Sequence, residues 1–187
     1  PNGSPFETDK RDQRLQLALA RMAETDLPLV YVNQVGGQDE LVFDGSSFAI
    51  NTDRSLAIQL EAFANDMAVS RWSRDAKGRL VCAAGRIAAP QEALAAIYGA
   101  LVLGLRDYVD KNRFKGVILG LSGGIDSALT AAIAADALGP SRVHCVMMPS
   151  RFTSRESLDD AAECAHLLGV RLDEISIEPA VAAFGQM

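Results

Sequence analysis

The chain has 187 residues, 49% of them hydrophobic and 22% charged, and carries a formal net charge of −6. That length can bury a real core in one large or two small domains, while the acidic balance gives no general attraction for nucleic acid or an anionic membrane. Three cysteines without C-x-x-C spacing and only two histidines argue against a disulfide framework, a zinc site or a histidine-rich metal centre; with no apolar run long enough for a bilayer and no signal peptide, the chain reads as cytoplasmic.

Pro1 to Pro5 is turn-rich, and Lys10 to Asp26 is predicted to be an amphipathic helix with Leu15, Leu19, Met22 and Ala23 inward and Asp9 as N-cap. Residues 29–34 read as a strand and Gly36-Gly37 as a turn. Short strands follow at 41–43, 47–50 and 55–60, with Asp44-Gly45 as a hairpin turn between the first two. Cys82 lies in an apolar run and reads as a small buried hydrophobe. The segment 71–79 is charged and reads as a solvated connector. From Gln91 to Arg113, Ala93, Leu94, Ile97, Leu101, Leu105, Tyr108 and Val109 recur at helical spacing, with Pro90 suited to the first turn. A strand at 117–121, a helix from Asp126 to Leu138, a strand at 143–149, a helix from Ser154 to Leu168 and a strand at 171–177 complete the chain. The second of these helices would turn Leu158, Ala161, Ala162, Ala165 and Leu168 inward, and Gly169 would stop it. Strands alternating with helices imply a parallel, three-layer α/β/α domain.

The richest stretch is Val117-Ile118-Leu119-Gly120-Leu121-Ser122-Gly123-Gly124-Ile125-Asp126-Ser127. It reads as a buried strand entering a glycine turn that opens an alanine-rich helix. Glycines let backbone N–H groups come close to a ligand, and a helix N-terminus favours an anion. No lysine follows Gly124, so this is not a Walker loop, and G-x-G-x-x-G is absent. Asp126 is suited to a hard cation such as Mg²⁺, its alternative being a helix-cap carboxylate. Arg151, in the loop after the second strand, could stack on a base or meet a phosphate, or be a surface arginine. His144 and His166 read as structural, and Asp159 and Glu163 as a solvated helix face.

Ser122-Gly123-Gly124-Ile125-Asp126-Ser127 resembles the pyrophosphate loop of the PP-loop ATP pyrophosphatases, which split ATP between its α and β phosphates and adenylate a substrate. Asn2-Gly3-Ser4-Pro5-Phe6 with Lys10, and Tyr31 to Phe48 (YVNQVGGQDELVFDGSSF), resemble the nitrilase-type glutaminase domain of glutamine-dependent NAD synthetases. The resemblance covers nearly the whole chain. It implies the C-terminal part of a nitrilase-like αββα domain over residues 1–70, a connector over 71–90, and the N-terminal part of a PP-loop, adenine nucleotide α hydrolase-like synthetase domain over 91–187. It also implies ATP-binding residues Gly120, Leu121, Ser122, Gly123, Gly124, Ile125, Asp126, Ser127 and Arg151, Mg²⁺ on Asp126, and Ser4 and Lys10 as contacts for glutamine. A serine hydroxyl and a lysine ammonium suit the polar groups of an amino acid.

The implied reaction is adenylation of deamido-NAD (nicotinic acid adenine dinucleotide) by ATP and displacement of AMP by ammonia from glutamine. The partners are then small molecules and a homo-oligomeric copy. The family's glutaminase Glu, Lys and Cys all precede the Asn-Gly-Ser-Pro segment, so no catalytic residue of that triad is expected in this chain, which reads as an internal, singly inactive piece of a longer protein. The alternatives are another PP-loop amidotransferase, such as a GMP or asparagine synthetase, and a non-catalytic nucleotide-binding or assembly module. The 31–48 block argues against the first.

Overall fold

The computed structural model describes residues 3–186; Pro1 and Asn2 of the turn-rich start, and Met187, lie outside the described residues. The chain divides into two compact units, one up to Gly104 and one from Leu105 onward.

The first unit begins with α1 (Lys10–Thr25), followed by β1 (Leu29–Tyr31), β2 (Val35–Gln38), β3 (Leu41–Asp44), β4 (Phe48–Ile50) and β5 (Leu56–Gln59). β1, β4 and β5 form an antiparallel sheet with β4 in the middle, and Tyr31 lies opposite Phe48. All three residues of β4 are buried, because both faces of this sheet are covered. On one face Ala18 and Met22 of α1 meet Phe48 and Ile50, with Leu19, Leu29, Tyr31 and Leu56 around them. On the other, Ala49, Ala57 and Ile58 pack against Cys82, with Leu60 and Trp72 alongside. Cys82 belongs to β7 (Leu80–Cys82), which pairs with β6 (Trp72–Arg74) in a hairpin. The charged segment 71–79 is therefore mostly hairpin, with Trp72 turned into the core. Burial pushes the Cys82 thiol pKa up.

Several sequence expectations change here. The inward face of α1 is Arg14, Ala18 and Met22, spaced by four, while Leu15 and Ala23 are exposed. Asp9 holds the N-cap position without capping; its carboxylate accepts from the Gln13 side-chain amide at 2.6 Å. Gly36 and Gly37 are not a turn. They lie inside β2, paired with Phe43 and Val42 of β3, and the turn falls at Asp39-Glu40, with Asp39 at φ 51°. Asp44-Gly45 is no hairpin either, because β3 pairs with β2 and β4 with β1 and β5; these residues cross from one sheet to the other.

Asp44 is held by Arg14. The guanidinium Nη1 donates to both carboxylate oxygens at 2.8 Å, and the two side chains are only 7% and 6% exposed. Arg14 Nη2 donates to the carbonyls of Ser4 and Pro5, both at 2.9 Å, and Nε donates to Ser4 Oγ at 3.0 Å. All five guanidinium N–H donors are thus used, which is what makes burying the charge tolerable.

α2 (Ala93–Lys111) runs across the division between the units. Its most buried residues are Ala100, Leu103 and Val109, whereas Leu94, Ile97, Leu101 and Tyr108, expected inward, are exposed. Pro90 lies three positions before the helix, outside its first turn.

In the second unit β8 (Val117–Gly120), β9 (Val143–Met147) and β10 (Arg171–Glu174) form a parallel sheet ordered β10-β9-β8. They alternate with α3 (Ile125–Leu138), α4 (Arg155–Leu168) and a short α5 (Glu178–Phe184). Small side chains allow tight packing: Ala131, Ala134 and Ala135 of α3 and Ala161 and Ala165 of α4 are buried, with Val143, Cys145 and Met147 of β9. Ala162 is exposed. Gly169 ends α4 in the left-handed conformation at φ 67°. Arg142 ties the strand entrances together, donating to Asp110 Oδ1 at 2.8 Å and to the carbonyls of Phe114 and Lys115.

Removing one partner of the Arg14–Asp44 pair leaves a buried charge uncompensated. We expect Asp44→Ala to cost roughly 3–5 kcal/mol in urea unfolding. Glu24→Ala, which breaks the exposed Arg21–Glu24 pair, should cost at most about 0.5 kcal/mol.

Candidate functional site

β8 ends at Gly120, and the next residue, Leu121, is 1% exposed and donates its N–H to the Val146 carbonyl at 3.0 Å. The chain therefore stays on the sheet until Ser122 and then turns. Gly123 adopts φ 82°, and Gly124 is the extended N-cap residue of α3, its carbonyl accepting from Ala128 N–H at 3.1 Å. Among the described residues no side chain caps this helix. The two serines brace the loop from within. Ser127 Oγ accepts from Ser122 N–H at 3.2 Å and donates to the Gly124 carbonyl at 2.9 Å, and the two hydroxyl oxygens lie 3.1 Å apart. Asp126 and Ile125 are exposed in the first turn of α3, and among the described residues no partner is found for the Asp126 carboxylate.

Gly123 is packed against another backbone. A Cβ at this position would lie 2.3 Å from the Ser157 carbonyl oxygen and 2.8 Å from its Cα. The loop after β8 thus rests on the first turn of α4. That helix is capped by Ser154, whose hydroxyl accepts from Ser157 N–H at 3.1 Å. The N-termini of α3 and α4 consequently stand side by side at the carboxyl ends of adjacent parallel strands, the place where open α/β sheets bind ligands. Ser154 and Ser157 were not among the residues singled out from the sequence as site residues; an S-x-x-S cap ahead of an apolar-periodic helix was the available signal.

The second loop follows β9. Met148 reaches Gly120, where a Cβ would be 3.4 Å from its methyl carbon. Ser150 and Thr153 close a turn, with Thr153 N–H donating to the Ser150 carbonyl at 3.0 Å. Arg151 is engaged by α5: its backbone N–H donates to Glu178 Oε2 at 2.8 Å, and its guanidinium lies 2.7 Å from Glu178 Oε1 and 5.7 Å above the Phe152 ring. Glu178 sits 27 residues away, and nothing in the local sequence announces it. Elsewhere on the sheet His144 Nε2 lies 2.8 Å from Asp173 Oδ2, and the hydrogen bond from Arg171, more than the one to His144, lowers the Asp173 pKa.

In the first unit, Ser4, Lys10, Gln13, Arg14, Leu17 and Tyr31 are among the residues around a cavity of about 370 Å³. Ser4 is fixed by its own backbone: its N–H donates to Asn33 Oδ1 at 3.0 Å, and its carbonyl accepts from Asn33 Nδ2 at 3.0 Å and from Arg14. Lys10 Nζ is 2.8 Å from Glu7 Oε1 in an exposed pair. The Tyr31 hydroxyl oxygen is buried without a hydrogen-bond partner among the described residues.

Comparison with known proteins assigns a lineage to this arrangement. The family model for NAD synthase matches residues 97–187, the segment that carries both loops. The chain is 54% identical over 98% of its length to the glutamine-dependent NAD(+) synthetase of Rhodobacter capsulatus, covering 33% of that protein. It is 45% identical over 99% of its length to the corresponding protein of Acinetobacter baylyi, covering 34%. Residues 97–187 belong to the NAD synthase family. The chain spans about a third of the length of the curated relatives it matches. Among solved structures it resembles the glutamine-dependent NAD+ synthetase of Acinetobacter baumannii in complex with ADP, at a TM-score of 0.91 and 45% identity over 99% of this chain and 35% of the other. The NAD synthase match accords with the parallel sheet of the second unit. No helix among the described residues is long and apolar enough to cross a membrane.

The packing of Gly123 can be separated from its backbone conformation. Gly78 also has positive φ, 77°, but a Cβ there would meet nothing within 4 Å. We expect Gly78→Ala to cost about 1 kcal/mol. Gly123→Ala should exceed it by a further ~1–3 kcal/mol, because the Ser157 backbone cannot move aside cheaply. Urea unfolding of both variants reads the difference.

Proposed function

We propose that the protein to which this chain contributes makes NAD from deamido-NAD, using ATP and glutamine. The observation that carries the reading is the Ser122–Ser127 loop, with the N–H groups of the α3 first turn uncapped and the Asp126 carboxylate unpartnered among the described residues, in a chain similar to glutamine-dependent NAD(+) synthetases over nearly its whole length.

The proposed chemistry has two steps. The pyridine carboxylate of deamido-NAD attacks the α phosphorus of ATP, an acyl adenylate forms, and pyrophosphate leaves. Ammonia then attacks the acyl carbon, the amide forms, and AMP departs. The Gly123 N–H and the N–H groups of the first turn of α3 stabilise the charge that develops on the leaving pyrophosphate, joined by the Gly124 N–H and the Ser122 and Ser127 hydroxyls once they exchange their hydrogen bonds within the loop for phosphate. Gly120, Leu121 and Ile125 supply the backbone frame that presents them. Arg151 lies at the mouth of the same strand ends, where its guanidinium would meet the nucleotide once exchanged from Glu178.

The residues present fit Mg²⁺. Asp126 offers one exposed carboxylate beside the phosphate site, and this ion is commonly held by one or two carboxylates together with substrate phosphates. No cluster of three His, Cys, Asp or Glu side chains able to hold a metal occurs among the described residues, so phosphate oxygens would complete the shell. When bound, the ion would neutralise phosphate charge and orient the α phosphorus for in-line attack.

The same reading assigns residues 1–70 to a nitrilase-like glutaminase domain, 71–90 to a connector and 91–187 to the PP-loop synthetase domain. Ser4 and Lys10 then contact glutamine. A cytoplasmic homo-oligomer belongs to this reading as well.

The test uses the full-length parent protein with ATP, deamido-NAD and ammonia. One AMP and one pyrophosphate should appear for each NAD. Asp126→Asn and Ser122→Ala should each lower kcat by about 10²-fold, the usual loss on removing one transition-state contact. Amidation of a different acceptor, with none of deamido-NAD, would sink the proposal.

A further inference from the structure

The buried fork of Arg14 has a consequence for the residue it grips. A serine hydroxyl has one proton and two lone pairs. Arg14 Nε donates to Ser4 Oγ at 3.0 Å and so occupies one lone pair. Arg14 has no lone pair to offer in return, so the Ser4 proton cannot point toward it. The Ser4 N–H is committed to Asn33 Oδ1, and its carbonyl accepts from both Arg14 Nη2 and Asn33 Nδ2. Among the described residues nothing accepts the remaining proton. Ser4 and Lys10 both line the cavity of about 370 Å³. The charge of Arg14 itself is neutralised by Asp44, which takes both Nη1 donors at 2.8 Å. Asn33 is tied to the same carboxylate at 3.4 Å, and its own N–H donates to Ser47 Oγ at 3.0 Å.

We propose that Arg14, Asn33 and Asp44 form a positioning network that fixes the Ser4 hydroxyl as a donor into the cavity, so that it and the Lys10 ammonium together read the carboxylate of the amino-acid amide donor. Arg14 does not touch that ligand; it orients the residue that does. The buried ion pair then holds a loop in a conformation that a surface contact could not hold against thermal motion. This inference rests on Ser4 and Lys10 being glutamine contacts.

The experiment measures NAD formation by the full-length parent with glutamine, and in parallel with ammonia, which bypasses the glutamine site. Ser4→Ala should raise the KM for glutamine at least tenfold, the loss expected for a hydrogen bond to a charged group. Arg14→Lys keeps the charge opposite Asp44 but loses the fork; it should raise the same KM by a comparable factor, with a smaller change in kcat. The double variant Ser4→Ala/Arg14→Lys should match Ser4→Ala within about twofold, because Arg14 acts through Ser4. The exposed Glu24→Ala variant of the same helix should change neither assay. A KM unmoved by Arg14→Lys would overturn the network, as would effects that multiply in the double variant or a parallel loss of the ammonia-supported rate. A KM unmoved by Ser4→Ala, in a parent that does use glutamine, would remove the glutamine reading of Ser4 beneath it.

Discussion

The loop between β8 and α3 has no room for a side chain at Gly123, and the geometry of the second unit follows from that constraint. Because the Gly123 backbone touches the Ser157 backbone, α3 and α4 start beside one another at the ends of β8 and β9. The N-terminal turns of two helices, that of α4 capped in part by Ser154, then face the same side of the sheet. Their partial positive charges add, and a polyphosphate is the kind of anion that can span both. Ser122 and Ser127 brace the turn from inside, so the donors are preorganised before any ligand arrives. Preorganised donors need not be reordered as charge develops, which is why such loops stabilise a leaving group effectively.

A second constraint governs the first unit. Arg14 is buried on the helix face that also carries Ala18 and Met22, and all five of its donors are used. Such an ion pair does not stabilise a fold by much relative to a well-packed apolar substitute, but it specifies one arrangement sharply. Here the arrangement joins α1, the end of β3 and the segment around Ser4. That segment lacks regular secondary structure, and without the fork the Ser4 carbonyl would keep only Asn33 and the Pro5 carbonyl would lose its Arg14 donor.

The sequence was most legible where local chemistry decides structure. The run 117–121 forms a strand and the alanine-rich stretch after the glycines a helix, although β8 is not the buried strand expected, Ile118 being 74% exposed; Gly169 ends α4 as expected. It was least legible where a distant partner overrides the local signal. A charged residue on an amphipathic helix is normally assigned to solvent, and nothing local marks Arg14 as buried, because its partner Asp44 lies 30 positions on. Gly36-Gly37 and Asp44-Gly45 carry strong turn signals, yet one pair lies inside a strand and the other crosses between sheets, because pairing partners set the register. The exposed face of α2 shows the same limit: Leu94, Ile97 and Leu101 have helical periodicity, and periodicity says which residues share a face without saying what covers it. For the candidate site, the resemblance to PP-loop and nitrilase-type sequences supplied the residues, while Glu178, Ser157 and the Arg14 network came only from three-dimensional contact.

The central claim is that the Ser122–Ser127 loop supports attack by a carboxylate on the α phosphorus of ATP. Isotope transfer tests it most directly. With deamido-NAD labelled by ¹⁸O in its pyridine carboxylate, turnover by the full-length parent in the presence of ammonia should place one ¹⁸O in the phosphate of AMP and none in pyrophosphate. Label recovered in inorganic phosphate, with ADP as the nucleotide product, would mean attack at the γ phosphorus and would contradict the account.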